Sequence, residues 1–199
     1  MKEEWRSCVE KYGRSSGRDV SVLLSGVVMA MGQDEFDGLF EEFESECLHL
    51  EMRDSYGTQA EILPFAKWAE GEEDDFTWMD GWCDTLRRGR AKGKVFRRAL
   101  VVSESLSRYQ RWAHSTTLPL VEAGEDIRWV PRRTVSSLAL PGNDFYLIDG
   151  EKVVFMHYSG EGAMEDIVVS TDPADIELCR SAFDAVWGRA IPHADYRVV

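Results

Sequence analysis

The stretch Pro119–His157 sets acids, arginines and aromatics beside strand-like apolar runs, where an ordinary core shows apolar residues alone. It reads P-L-V-E-A-G-E-D-I-R-W-V-P-R, then L-P-G-N-D-F-Y-L-I-D-G, then E-K-V-V-F-M-H-Y. His157 closes an apolar run, at the kind of strand end where α/β sheets gather functional groups. With Glu122 or Asp126 as acid/base partner it would suit a hydrolase or transferase; bonded to a backbone carbonyl it would be structural. Glu122, Glu125 and Asp126 could serve acid/base work or a divalent ion, but charge runs of this kind are usually hydrated. Arg128 lies beside Trp129 in a strand-like run, where an unpaired charge is costly. It requires a carboxylate, with Asp144, Glu104 and Asp126 as candidates, or it clamps an anionic ligand.

Complete catalytic motifs are missing. No G-x-S-x-G turn presents a serine to a histidine, and neither G-x-G-x-x-G nor G-x-x-x-x-G-K-[ST] occurs. Cys8, Cys47, Cys83 and Cys179 are scattered with no C-x-x-C pair, and His49 near Cys47 is too little for zinc. No cofactor and no metal is expected, and the thiols read as the reduced cysteines of a cytoplasmic protein. Trp78, Asp80 and Trp82 suggest an aromatic face with one acid, able to stack a ligand or to pack a helix.

Positioning these residues takes a real core. The 199 residues, 44% hydrophobic and 30% charged, have a globular composition. The net charge of −13 is segregated: residues 34–84 carry 17 acids and 2 bases, while residues 85–115 carry 9 bases and 1 acid. This acidity argues against direct nucleic-acid binding, which needs a basic footprint. Val20–Met31 is apolar but too short to span a bilayer, and no signal peptide stands out.

Three parts follow. Residues 1–33 look like an N-terminal extension, with a short amphipathic helix around Trp5, Val9 and Tyr12 and a joint at Arg14–Arg18. Residues 34–92 read as an acidic, mainly helical subdomain. Phe36, Leu39, Phe40 and Phe43 recur at helical spacing after an Asp34 N-cap, Cys47–Arg53 alternates like a strand, and helices are predicted over Pro64–Glu70 and Trp78–Arg90. Residues 93–199 read as an α/β domain. Strands are predicted over Lys94–Val102, Asp126–Val130 and Ile167–Ser170, with a hairpin turning at Asp149-Gly150. Helices are predicted from Ser105 to Ala113 and after Asp172-Pro173. The fold class expected is α/β (α+β), a helical N-terminal part packed on a three-layer mixed sheet.

The series Asp34-x-Phe36-x-x-Leu39-Phe40, Leu50-Glu-x-Arg53-Asp54-x-Tyr56, Asp80-Gly81-Trp82, Val101-Val102-Ser103-Glu104, Glu122-Ala-Gly-Glu-Asp-Ile-Arg-Trp129, Leu140-Pro-Gly-x-Asp144-Phe145 and Trp187-x-Arg189-Ala190-x-Pro192 resembles an actinobacterial family of unknown function. The resemblance covers about residues 34–199. It implies a regulatory or accessory role, because members tend to be encoded near helix-turn-helix regulators. The later half also resembles effector domains of bacterial transcription regulators, built like half of a phospholipase-D-type fold. The H-x-K signature of active phospholipase-D enzymes has no counterpart: Tyr158 and Ser159 follow His157.

The expectation is a cytoplasmic, non-catalytic module that binds a small ligand or a helix-turn-helix regulator, with no membrane attachment. Its ligand site should gather Arg53, Trp82, Arg128, Trp129, Asp144 and His157 at the sheet's edge. The alternatives are the His157 enzyme and an acidic decoy, residues 34–84, for a regulator's DNA-binding surface.

Overall fold

The computed structural model describes residues 28–198. The eight strands are β1 (Val28–Ala30), β2 (Glu46–Glu51), β3 (Val95–Val102), β4 (Glu125–Pro131), β5 (Asp144–Ile148), β6 (Lys152–Tyr158), β7 (Met164–Ser170) and β8 (Ile191–Pro192). They form one sheet in the order β1-β7-β6-β5-β2-β3-β4-β8. β2, β3 and β4 run parallel; every other pair is antiparallel. The helices are α1 (Gln33–Glu42), α2 (Gln59–Glu70), α3 (Asp80–Ala91), α4 (Arg108–Thr116), α5 (Leu118–Ala123) and α6 (Pro173–Trp187).

The sheet is covered on both faces, so a mixed α/β three-layer architecture holds. On one face α6 starts where the Asp172 carboxylate accepts the Ala174 N–H at 2.8 Å, with Pro173 in its first turn. It buries Cys179, Phe183 and Val186 against Leu48, Leu50, Ala99, Val101, Phe145 and Leu147. Each of the valine, leucine and phenylalanine side chains among them contributes about 1.5–3 kcal/mol of burial free energy. On the other face α1 buries Phe36, Leu39 and Phe40, and α3 buries Cys83 and Leu86. Gly89 of α3 meets Phe96 so closely that a Cβ there would stand 2.6 Å from the ring.

The sheet does not divide at residue 92. β2, from the segment expected to be a helical subdomain, lies in the sheet's middle between β5 and β3. Parallel pairing to β3 needs a crossover, and α2 and α3 supply it. Part of the expected N-terminal extension also joins the sheet, as β1 pairs antiparallel with β7. The helix predicted near Trp5 and the joint at Arg14–Arg18 lie outside the described residues. Gly32, rather than Asp34, caps α1, its N–H donating to Glu35 Oε2 at 3.0 Å.

The hairpin forms where expected, with Asp149 and Gly150 both at positive φ, 53° and 70°. Asp149 also accepts the N–H groups of Glu44, Ser45 and Glu46 and so ties the entry of β2 to the hairpin.

Candidate functional site

A cavity of about 530 Å³ lies between the sheet and the helices opposite α6. β2 alternates, so Leu48 and Leu50 face α6 while His49 and Glu51 line the cavity. Arg98 of β3 stands opposite His49 on one side and Ile127 on the other. Glu51 is two residues further along β2, and Glu125 two residues back along β4. Both are diagonal neighbours on Arg98's face, within reach of a long side chain.

Arg98 joins these acids. Its Nε and Nη2 donate to Glu125 at 2.7 and 3.2 Å, and its Nη1 donates to Glu51 Oε1 at 2.9 Å. The Trp82 indole donates to Glu125 at 3.4 Å. Burial pushes the Glu51 carboxyl up to about 7; Arg98 pulls it down, and Asp144, Glu61 and Glu125 push it up further. Glu61 of α2 is also raised by burial, against the hydrogen bond it accepts from the Tyr109 hydroxyl at 2.8 Å.

His49 is buried, and burial followed by Arg98 drives its pKa well below the ordinary value, so it is neutral. Its ring stacks on Tyr146 with centroids 3.8 Å apart. Nδ1 comes within 3.4 Å of Glu51, yet neither ring nitrogen makes a hydrogen bond among the described residues. A neutral imidazole with both nitrogens unused offers one donor and one acceptor to whatever enters.

Nine aromatic side chains complete the walls. Trp78 stacks on Trp112 at 5.8 Å, and Phe40 meets Trp82 edge-on at 4.8 Å. α2 closes one side without burying any residue, leaving Ile62 and Leu63 exposed.

Of the residues expected at the site, Trp82 lines this cavity, and Asp144 and Arg53 lie behind its wall, against the lining residues Tyr56 and Tyr158. Asp144 accepts the Met52 N–H at 2.8 Å and the Tyr56 hydroxyl at 2.5 Å. Burial raises its pKa, opposed by those bonds and by Arg53 and Arg132. The Arg53 guanidinium sits 5.2 Å from the Tyr158 ring centroid.

The structure does not bring the other three to this group. Arg128 lies on the α6 face, chelated by Asp126 at 3.0 and 2.9 Å and 4.1 Å above Trp187. Asp126 is thus the partner carboxylate its strand position requires. Trp129 is sealed against Tyr196, its indole donating to His193 at 3.1 Å. His157 follows cavity-facing Met156, so alternation turns it to the opposite face, where Nδ1 lies 3.4 Å from Asp166. Four strand spacings, about 19 Å, separate β6 from β4, so His157 does not form an acid/base pair with Asp126. Glu122, on α5 leading into β4, lies on that same distant side.

The sequence reasoning missed His49, Glu51, Glu61 and Arg98. For His49 and Glu51 the signal was the alternation of β2: in a strand buried on both faces, the residues that alternate with Leu48 and Leu50 are buried too; Glu61 and Arg98, on other elements, had no such local signal. Among the described residues, no three His, Cys, Asp or Glu side chains gather as a metal site, and no helix is long and apolar enough to cross a membrane.

The mixed α/β sheet covered on both faces is similar in fold to two solved phospholipase-D-type structures. Nuc from Salmonella typhimurium, a phospholipase D family member, matches with a TM-score of 0.52 at 10% identity, over 87% of this chain and 99% of that one. NucT from Helicobacter pylori matches with a TM-score of 0.50 at 7% identity, over 84% and 98%. At such identities the likeness is one of fold. The chain belongs to the family of a domain of unknown function, DUF6879, which spans residues 34–198. No curated protein matches the chain in sequence.

Proposed function

We propose that this protein is a non-catalytic regulatory or accessory module that binds a small ligand in the cavity above β2 and β3. The observation that carries this reading is His49, buried with both ring nitrogens unbonded against a cavity of about 530 Å³. A buried polar group without a partner costs about 1–3 kcal/mol, and a ligand hydrogen-bonded to it removes that cost. The volume suits a small organic molecule, since such pockets run about 300–1,000 Å³.

Native mass spectrometry of the purified protein, with a thermal-shift screen of small metabolites, tests this. The expected result is saturable binding that quenches tryptophan emission and weakens in A113L, which narrows the cavity from α4. Absence of any bound mass or thermal shift would reject the reading. A helix-turn-helix regulator remains the proposed partner. Salt-sensitive co-purification supports a contact through the acidic residues 34–84, and salt-independent association argues against the decoy form.

A hydrolase or transferase is the second reading, favoured by the likeness to Nuc. Turnover of a phosphodiester by the purified chain, abolished by H49A or E51Q, would support it. Turnover unchanged in both variants would place any such activity elsewhere.

A further inference from the structure

We propose that the cavity selects an organic cation, a protonated or quaternary amine on an apolar body, held by Glu51 and Glu61 and by the faces of the aromatic walls. This rests on the ligand-binding reading and names the ligand's chemistry.

The first argument is charge. Glu51 and Glu125 flank one guanidinium, Arg98, with Glu125 holding two of its nitrogens, and Glu61 lines the same cavity. An anion entering here would meet more carboxylates than it could displace. A cation would supply the counter-charge that the acids lack.

The second argument is the walls. Trp78, Trp82, Tyr146 and Tyr158 are among the nine lining aromatics. A ring face carries the negative lobe of the quadrupole, so each of these rings that turns a free face to the cavity attracts a desolvated ammonium. An inorganic ion would gain little from such walls, and the described acids do not gather as chelating ligands.

The third argument is His49. His49 lines the cavity, neutral and with both ring nitrogens buried and unbonded, one donor and one acceptor that a small side-chain shift would offer. They suit a hydroxyl, carbonyl or amide on the cation's body and would set its orientation.

Binding should also be linked to protons. Glu51 faces His49 on β2, Arg98 on β3, Glu125 on β4, Asp144 and Tyr146 on β5, Tyr158 on β6, Glu61 on α2, Tyr56 after β2 and Tyr109 on α4. With burial holding Glu51 near 7, a cation beside it expels a proton on binding at lower pH. Affinity therefore falls with acidity, by up to about 30-fold from pH 8 to pH 5.5 for one displaced proton.

The test is calorimetry with three probes of one size: benzyltrimethylammonium, benzyl alcohol and benzoate. The expected result is that the ammonium binds at least about tenfold more tightly than the others. Its affinity should weaken on acidification and drop in E51Q and in E61Q; Glu61 lies on α2, away from the Arg98 ion pairs, and Gln keeps an oxygen for the Tyr109 hydroxyl, so that variant tests the charge apart from the sheet's own network. Equal binding of benzyl alcohol, or tighter binding of benzoate, overturns the cation assignment while leaving a ligand cavity in place. If none of the three binds, the assignment falls, and the metabolite screen decides separately whether the cavity binds anything.

Discussion

Replacing Glu51 by Gln should stabilise the protein, and more so as pH rises. Burial lifts the Glu51 carboxyl from its ordinary 4.5 to about 7, after the attraction of Arg98 is included. Its side chain is only 12% exposed, so solvent screens little of that effect. The sign follows: between 4.5 and 7 the folded state binds more protons than the unfolded one, and stability falls as pH climbs through that window. The shift corresponds to about 3 kcal/mol when the acid is fully ionised. Gln keeps the shape and an oxygen for Arg98 Nη1, yet cannot ionise. Urea unfolding followed by circular dichroism at pH 5 and pH 8 should show E51Q gaining about 2–3 kcal/mol more at pH 8 than at pH 5. An equal gain at both pH values, or a loss at pH 8, would refute the assignment of Glu51 as a strained buried acid.

Arg98→Met removes the counter-charge instead, so it should cost about 3–5 kcal/mol at pH 8 and less at pH 5, where the stranded acids protonate; a pH-independent cost in the same titration would count against it. Gly89→Ala gains about 1 kcal/mol of helix propensity but drives its Cβ to 2.6 Å from Phe96. A net loss of about 1–2 kcal/mol is expected by thermal unfolding, and a stabilised variant would show that the ring moves aside. His157→Ala should change stability by less than about 1 kcal/mol and leave ligand affinity by calorimetry unaltered; lost binding would place the site on the other face.

Much of the fold was legible because its signals are local. The Asp149-Gly150 turn, the Asp172-Pro173 helix start and the apolar run Ala99–Val102 each declare themselves within a few residues. What was not legible is the position of β2. Its neighbours in the sheet, β3 and β5, lie more than forty and more than ninety residues away in sequence. Composition and helical periodicity therefore set residues 34–92 apart as acidic and mainly helical, and the strand predicted over Cys47–Arg53 was assigned to that subdomain rather than to the middle of the sheet. With β2 not placed in the sheet's middle, nothing marked His49 and Glu51 as the polar floor of a cavity. Arg128 and His157 drew attention because they stand out inside apolar runs. Arg128 met its need for a carboxylate with Asp126, two residues away on the same face of β4.

The two faces of β2 explain why the site lies where it does. One long helix, α6, covers the opposite face with an apolar seam, and the polar groups around it are paired, Arg128 with Asp126 and Arg180 with Glu46. The cavity face is covered by five shorter helices, and α2 among them buries nothing of its own. α2 is held by the ring contacts of Phe65 with Tyr109 and Trp112, by the Arg108 bond to Ala69 at 2.7 Å, and by the Tyr109–Glu61 hydrogen bond. Elements with so little buried apolar surface open at the lowest free-energy cost, so α2 is the natural way in. Glu61 is also one of the proposed cation ligands, and a cation bound there adds a tie between α2 and the sheet that the empty cavity lacks. Occupancy would then steady the helix that carries the exposed Ile62 and Leu63. A buried charge balance is thereby connected to the outer surface, which is the physical coupling a ligand-responsive accessory module requires.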